Sequence, residues 1–228
     1  MDKHYASENE VLYHVGFSKA ALQGATLAVL PGDPGRVEPL ARQLGEEPSF
    51  IACHREYTSW LTHIAGRPVL VCSTGMGGPS VAICLEELAR MGITQVIRVG
   101  TTGTIQEYIN PGEVIINKAS VRLDGTSHHY APASFPAVAS FTGYVPKAFQ
   151  GTMVEWQRLG ALNYEMETSA LFVTCQALGI KAGAVCGVVA KRTEGEGIVP
   201  KEKYDQALQY QIAIVRGAVE RLEKVESI

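Results

Sequence analysis

Apolar residues along the chain occur in short runs, separated by stretches rich in glycine, proline or charge. Runs with strand character lie at 25–30, 49–53, 57–64, 68–72, 94–99, 113–123 and 182–190. Helices are predicted at 81–90, 156–159, 168–178 and 201–225, and one more between Asp33, as its N-cap, and Gly45. Because strands alternate with helices throughout, the pattern predicts an α/β fold with three α/β/α layers: a mixed, mainly parallel central sheet flanked by helices.

The length and composition are typical of one folded domain. With 228 residues, of which 46% are hydrophobic, the chain can bury one substantial core, so we expect a single domain spanning 1–228. Charged residues make up 19%, both signs are interspersed, and the net charge is -3. This balance gives no electrostatic reason to expect nucleic acid or an anionic membrane as a partner. The expected ligand is therefore a small molecule.

The five cysteines are odd in number, have no C-x-x-C spacing and lie mostly in apolar runs. These features are typical of buried free thiols in a reducing compartment. No charged-then-apolar leader opens the sequence, and the longest uninterrupted apolar stretch, 182–190, is too short to span a bilayer. We therefore expect a cytoplasmic protein with no membrane partner.

Three stretches combine glycine with a cation or hydroxyl where strands are predicted to end, at 31–36, 73–80 and 98–103. In open α/β sheets, ligands bind in loops beyond the carboxyl ends of the strands. Glycine lets backbone N–H groups approach an oxyanion, and arginine adds a planar pair of donors, so each stretch could hold a phosphate. None is a Walker P-loop or a G-x-G-x-x-G motif. The alternative for any one of them is that glycines end strands and arginines are solvated.

A second candidate site is the sequence Asn-Tyr-Glu-Met-Glu at 163–167, which opens an otherwise apolar helix. One interpretation is that Glu165 and Glu167 are first-turn acids favoured by the helix dipole, which explains one of them well. The other is a ribose site, because a carboxylate accepts hydrogen bonds from two vicinal hydroxyls and Met166 offers an apolar surface.

The histidine positions argue against a metal centre and against an acyl-enzyme mechanism. Five of the six histidines, at 14, 54, 63, 128 and 129, are scattered without a metal-ligand spacing, and no G-x-S-x-G motif completes a triad. The stretch Cys-His-Arg-Glu at 53–56 places a cation and an acid at a strand edge, where a surface ion pair and a role in a site remain equal alternatives.

Taken together, these motifs resemble the nucleoside phosphorylases of the trimeric or hexameric type over nearly the whole chain. The similar motifs are Gly-Asp-Pro-x-Arg at 32–36, His-Arg-Glu at 54–56, Ser-Thr-Gly-Met-Gly-Gly-Pro-Ser-Val-Ala-Ile at 73–83 with Glu-Glu-Leu at 86–88, and Arg-Val-Gly-Thr-Thr-Gly at 98–103. The stretches at 120–125, 131–132, 135–136 and 163–167 are more similar to the branch that acts on uridine. So is Lys-Arg-Thr at 191–193, where purine-specific members usually have Ser-Asp.

The resemblance implies phosphorolytic cleavage of uridine, and of deoxyuridine or thymidine, to the free base and ribose 1-phosphate in pyrimidine salvage. It implies phosphate binding by Gly32, Arg36, Arg98 and Thr101, with Arg55 supplied by a neighbouring subunit. It implies ribose binding by Thr101, Glu165, Met166 and Glu167, with His14 of the neighbour at the 5′-hydroxyl, and base binding by Thr102, Gly103 and Arg192. The implied catalytic residues are Arg98, Glu167 and Arg192.

The resemblance also implies partners. No cofactor is required beyond phosphate as co-substrate, although Glu56 and Ser80 match positions that coordinate potassium at a dimer interface. The expected assembly is a homo-oligomer, a hexamer built as a trimer of dimers.

One departure from the family pattern lies between Phe141 and Thr142, where the chain skips about a helix and a strand. The skipped part includes the Gln-Glu-Arg-Tyr-Asp stretch whose glutamine and arginine recognise the pyrimidine. The favoured explanation is that the functional protein contains this segment; the alternative is a protein that lacks it and catalyses poorly. Two further alternatives stay open: a purine-nucleoside or methylthioadenosine-type relative, and a non-catalytic nucleoside-binding homologue. Hydrolases of this fold do not need the phosphate arginines, which disfavours that branch.

Overall fold

The computed structural model describes residues 5–132, 152–195, 197 and 199–226. Its strands are β1 (Leu27–Pro31), β2 (Glu46–His54), β3 (Tyr57–Ile64), β4 (Arg67–Cys72), β5 (Gln95–Thr104), β6 (Val114–Asn117), β7 (Asn163–Tyr164) and β8 (Lys181–Lys191). Its helices are α1 (Val37–Leu44), α2 (Gly78–Arg90), α3 (Ser127–Tyr130), α4 (Thr152–Arg158), α5 (Thr168–Leu178) and α6 (Lys201–Glu226). Short 3₁₀ turns lie at Lys19–Leu22 and Pro34–Arg36.

The strands form one sheet in the order β2-β3-β4-β1-β5-β8-β6, with β7 added to β5. The four central strands β4, β1, β5 and β8 are parallel, whereas β2, β3, β6 and β7 join antiparallel. The mixed sheet is therefore confirmed. The expectation of a mainly parallel sheet is wrong, because antiparallel pairs outnumber parallel ones among the described strands: the hairpins of β2, β3 and β4 and the short β6 and β7 extend a parallel centre at both sides.

Helices cover both faces of the sheet, which confirms the three layers. Side chains alternate along β1, so that Leu27 and Val29 pack against α1 and α6 while Ala28 and Leu30 pack against α2 and α5. Strands that are buried on both faces have continuous apolar runs, which is why β1 and β4 could be predicted from the sequence. The bounds predicted for β3 and α5 are confirmed, and Asp33 caps the 3₁₀ turn before α1 by accepting the Gly35 N–H at 2.8 Å.

Strand β5 is longer than predicted, and this changes the environment of the third glycine-rich stretch. The sequence predicted a strand ending at Val99 and a loop at 100–103. Instead the strand continues to Thr104, because residues 100–104 pair with β8 on one side and β7 on the other, after β1 has ended opposite Val99. Pairing with two neighbours thus overrides the low strand propensity of glycine.

Other differences are local. The strand predicted at 113–123 ends at Asn117, and the chain then folds back into α3 as Arg122 donates to the carbonyls of Ser127 and Ala131. Helix α4 begins before the predicted 156, and β7 and α3 were not predicted. The skipped segment between 141 and 142 lies outside the described residues.

Four cysteines are buried free thiols as expected, but Cys53 is exposed. No helix in the described part of the chain is both long and apolar enough to cross a bilayer.

Candidate functional site

The centre of the candidate site is Arg98 of β5, whose side chain is almost fully buried. The side chain folds back over its own strand, so that a Cβ on Gly100 would lie 3.0 Å from Nη2 and 3.1 Å from Cζ. Glycine at position 100 is therefore required for the guanidinium to occupy this place. Arg98 therefore lies in a central strand with its charged group surrounded by protein.

Two carboxylates at the start of α5 hold the guanidinium of Arg98. Its Nε donates to Glu165 Oε2 at 3.0 Å, and its Nη2 donates to Glu167 Oε2 at 2.5 Å. All three side chains are less than a tenth exposed. Burial alone would lower the pKa of Arg98, but the charges of Glu167 and Glu165 outweigh it and raise this pKa. The stretch at 163–167 and the stretch at 98–103 therefore form one site.

Glu165 also caps helix α5. Its Oε1 accepts the backbone N–H groups of Glu167 at 3.1 Å and of Thr168 at 2.5 Å, while its Oε2 binds Arg98. Both carboxylate oxygens are thus engaged by the protein. Glu165 therefore fits the interpretation as an acid at the start of the helix. Its contacts hold Arg98 and the helix rather than present an acceptor to a ligand.

Glu167 links the glycine-rich stretch at 73–80 to the same cluster. Its Oε1 accepts the Gly77 N–H at 2.7 Å while its Oε2 binds Arg98. Burial raises the pKa of Glu167, the positive charge of Arg98 opposes this rise, and the charge of Glu165 adds to it. Two acids and one guanidinium leave the cluster with one excess negative charge, which a protonated carboxyl or a further cation would neutralise.

Arg36 and Arg98 carry buried N–H groups that could bind a ligand. Nε and Nη2 of Arg36 and Nη1 of Arg98 are buried and have no hydrogen-bond partner within the described chain. The two guanidinium groups are near enough that the charge of Arg98 adds to burial in lowering the pKa of Arg36. A Cβ on Gly32 would lie 3.9 Å from Arg98 Nη1, so this glycine adjoins the same place. Unpaired buried donors on two cations are the arrangement that an oxyanion satisfies.

The residues predicted to bind the base have different surroundings. Thr102 donates its hydroxyl to the Tyr164 carbonyl at 2.5 Å and accepts from Asn163 Nδ2 at 2.8 Å, so it is engaged in holding β7. A Cβ on Gly103 would lie 2.6 Å from Arg192 Nε. The structure therefore brings Gly103 and Arg192 together, as expected, and assigns the Thr102 hydroxyl to the fold.

Two further phosphate and ribose candidates, Thr101 and Met166, are both half-buried. They flank the Arg98 cluster along β5 and at the start of α5. Thr101 lies opposite Gly187 of β8, beyond the end of β1. Met166 lies between the two carboxylates, and its backbone N–H donates to Glu167 Oε2 at 3.3 Å. Their predicted contacts with phosphate and ribose remain predictions.

His14 and Arg55 lie together in a second cluster. Arg55 Nη2 donates to the Tyr13 hydroxyl at 3.3 Å and packs 5.6 Å over the Tyr13 ring, which also meets His14 edge-on. His14 is bound to Glu87 of α2, and its carbonyl accepts from His54 Nδ1 at 2.9 Å. Among the described contacts, neither residue touches Arg36 or Arg98. Their predicted roles in a neighbouring subunit's site remain predictions.

Glu56 and Ser80 also lie together. Ser80 Oγ donates to Glu56 Oε1 at 3.1 Å and contacts the Thr74 carbonyl, and a Cβ on Gly75 would lie 2.7 Å from both side chains. Carboxylate, hydroxyl and carbonyl oxygens suit a hard cation, so these residues fit the expected potassium. No group of three or more His, Cys, Asp or Glu in the described residues is arranged to hold a metal ion.

Sequence reasoning missed three contributions to these clusters. The Gly77 N–H was part of a quoted motif but had no assigned role, since a backbone donor carries no residue-type signal. Tyr204 of α6, whose ring lies 5.9 Å from the Arg36 guanidinium, gave no signal at all. Glu87 was quoted within a motif, and its contact with His14 joins residues far apart in sequence.

Comparisons with known proteins identify the family to which the chain belongs. The family model described as "Phosphorylase superfamily" matches residues 26–144 and 146–220. The uridine phosphorylase of Haemophilus influenzae is 44% identical, covering 84% of this chain and 90% of the relative. That of Escherichia coli is 43% identical over 249 aligned residues, covering 92% and 98%. The guanosine phosphorylase of Halorubrum lacusprofundi is 30% identical, covering 71% and 77%. The chain therefore belongs to the phosphorylase superfamily.

Proposed function

We propose that this chain is a uridine phosphorylase, which cleaves the glycosidic bond of uridine with inorganic phosphate. The observation that carries the proposal is the set of buried N–H groups on Arg36 and Arg98, beside Gly32, that have no acceptor in the part of the chain that the structure describes. Such donors are costly to leave unsatisfied and are satisfied by a phosphate oxyanion. The choice of uridine is supported by the relatives of 43% and 44% identity, both named uridine phosphorylase.

The phosphate is bound by the guanidinium groups of Arg36 and Arg98 and by Thr101, with Gly32 allowing close approach. Arg55 of a neighbouring subunit completes the site. The same Arg98 is held by Glu165 and Glu167, so its position is fixed before phosphate arrives. Preorganised donors of this kind cost no reorganisation during the reaction.

The ribose is held against the phosphate by Glu167 and Met166, with His14 of the neighbour at the 5′-hydroxyl. Oε1 of Glu167 accepts only the Gly77 N–H within the described chain, so it keeps a lone pair for a ribose hydroxyl. Oε1 of Glu165 already accepts two N–H groups, so Glu165 acts indirectly by fixing Arg98 and the start of α5. In the reaction the C1′–N bond breaks, positive charge develops on the ribose, and a phosphate oxygen forms the new bond to C1′ from the opposite face. No protein nucleophile is needed, because binding supplies position and the phosphate supplies the charge.

The leaving pyrimidine takes the bonding electrons and must be stabilised and protonated. Arg192, packed against Gly103, is the described residue suited to stabilise its charge. In the family pattern the other donors come from the segment that this chain skips between Phe141 and Thr142, so a protein without that segment should catalyse poorly. The alignment with the Escherichia coli relative is longer than this chain, which supports the proposal that the relative has residues without counterparts here.

Several further properties belong to the same proposal. The protein acts as a homo-oligomer, a hexamer built as a trimer of dimers, because His14 and Arg55 serve a neighbouring site. Potassium binds at Glu56 and Ser80. The protein is cytoplasmic, in keeping with four buried free cysteines. Light scattering at several protein concentrations tests the hexamer, and a dimer or monomer with full activity would contradict it.

A purine-nucleoside phosphorylase is the second candidate, favoured by the relative named guanosine phosphorylase. Its lower identity and the Lys-Arg-Thr stretch at 191–193 disfavour it. The deciding experiment measures cleavage of uridine, thymidine, inosine and adenosine with and without phosphate, with chromatography of ribose 1-phosphate. Phosphate-dependent cleavage of uridine is expected. Phosphate-independent cleavage would overturn the mechanism, and nucleoside binding in a calorimeter without turnover would indicate a non-catalytic homologue.

A further inference from the structure

The carboxylate of Glu87 binds three donors of a single turn in the N-terminal segment. His14 N–H lies 3.1 Å from both carboxylate oxygens, Val15 N–H donates to Oε2 at 2.9 Å, and His14 Nδ1 lies 2.7 Å from Oε1. The turn itself is closed by the Gly16 N–H, which donates to the Leu12 carbonyl at 3.0 Å. One acid on α2 therefore fixes both the backbone and the ring of His14.

Glu87 is buried, while the ring that it binds reaches solvent. The carboxylate side chain is 10% exposed and the His14 side chain is 38% exposed. Burying a carboxylate costs free energy unless both of its oxygens accept hydrogen bonds, and the three donors of this turn meet that need. The exposed part of the ring is free to meet something outside this chain.

The contact also decides which ring nitrogen carries the proton. A carboxylate only accepts, so Nδ1 of His14 must donate. In the neutral ring, Nε2 then has the lone pair and is an acceptor. The second ring contact, edge-on with Tyr13 at a centroid distance of 5.0 Å, supports the same ring orientation.

Anchoring of the segment does not by itself require this contact. Glu10 and Arg90 form an ion pair at 2.7 Å, and the Ala6 N–H donates to the Arg90 carbonyl at 2.9 Å, so the same segment is tied to the same helix elsewhere. The bond between Glu87 and the ring adds orientation and tautomer choice.

We propose that Glu87 is a positioning residue, which holds His14 as the Nδ1–H tautomer so that Nε2 accepts a hydrogen bond from a sugar hydroxyl of the nucleoside. This inference rests on the proposed function, in which His14 approaches the 5′-hydroxyl of a neighbouring site. The nucleoside 5′-hydroxyl is then the donor, and a sugar without it gains nothing from either residue.

The test uses the full-length protein and the variants E87Q, H14A and E87Q/H14A. In E87Q the amide can donate to Nδ1 and favour the opposite tautomer. E87Q and H14A should each raise the KM for uridine about tenfold, the value of one hydrogen bond, with the KM for phosphate unchanged. With 5′-deoxyuridine both variants should behave as wild type within about twofold. The double variant should be no worse than H14A.

The matched control is E10Q, which breaks an ion pair between the same segment and helix without touching His14. It should leave both values of KM within about twofold of wild type. A purely structural role for Glu87 would instead make E87Q equally poor with uridine and 5′-deoxyuridine, or make the double variant worse than H14A, and either result would overturn the proposal.

A measurement that does not depend on turnover separates this proposal from the proposed function. The ¹⁵N shifts of the His14 ring, assigned by their loss in H14A, distinguish the two neutral tautomers. Wild type should show protonated Nδ1, and E87Q should shift toward protonated Nε2. Nε2–H in wild type would overturn the tautomer assignment, whereas a wild type without uridine turnover would overturn only the proposed function.

Discussion

Arg98 donates from Nη2 to Glu167 at 2.5 Å, while its other terminal nitrogen, Nη1, is buried and meets no acceptor among the described residues. One side of the guanidinium is thus used for the fold and the other is available to a ligand. Glu165, on Nε, completes the fixed side. This division makes the contributions of the cluster to stability and to phosphate binding separable by experiment.

Removing Glu165 should destabilise the protein strongly. E165A leaves a buried guanidinium short of one partner and two helix N–H groups uncapped, so the free energy of unfolding should fall by about 3–5 kcal/mol. Urea unfolding measures this value. E38A, which breaks the exposed pair with Arg42, is the control and should cost no more than about 0.5 kcal/mol. Equal effects of the two substitutions would contradict the buried arrangement.

Replacing Arg36 should separate binding from stability. In R36M the buried unpaired donors are lost, so the free protein should be as stable as wild type or more stable. The KM for phosphate should rise about 10- to 100-fold, the value of charge-assisted hydrogen bonds. Phosphate should raise the Tm of wild type and not of R36M. R42A, on the following helix, is the control, and an unchanged phosphate KM in R36M would refute the anion site.

The pH dependence of stability follows from Glu167. Since burial raises its folded pKa above the ordinary 4.5, the folded state holds more protons than the unfolded state between these two values. The free energy of unfolding should therefore fall as the pH rises through this window. The measurement is the free energy of unfolding of the wild type minus that of E167Q, from urea unfolding at closely spaced pH values without phosphate. A difference that grows with rising pH would show that Arg98 dominates instead and depresses this pKa.

Substitutions of Gly100 and Gly103 should affect the binding of different substrates. A Cβ at Gly100 would displace the guanidinium of Arg98, so G100A should raise mainly the KM for phosphate. A Cβ at Gly103 would displace Arg192, so G103A should raise mainly the KM for uridine. Initial rates with each substrate varied in turn measure both. G183A in β8 is the control, because a Cβ there meets no described atom within 4 Å. The same pattern of KM changes in G100A and G103A would contradict this division.

The hydrophobic pattern predicted most elements, because β1, β3, β4 and β8 carry apolar runs and α2 and α5 carry helical ones. It failed where pairing decided the outcome. Residues 100–104 form strand only because β7 and β8 flank them, and β7 is two residues long with no pattern of its own. The proportion of parallel pairs was overestimated for the same reason, since strand direction depends on which neighbours meet.

The residue types of the candidate site could be predicted, but their division of work could not. The local pattern was enough to predict glycine-rich stretches with arginines near the ends of strands and paired carboxylates at the start of a helix, because strand ends and helix starts have local signals. The packing of the folded chain determines that Glu165 caps α5 while Glu167 reaches Gly77, that Thr102 holds β7, and that Glu87 binds His14. These are contacts between atoms distant in sequence, and which oxygen meets which donor depends on how the layers pack.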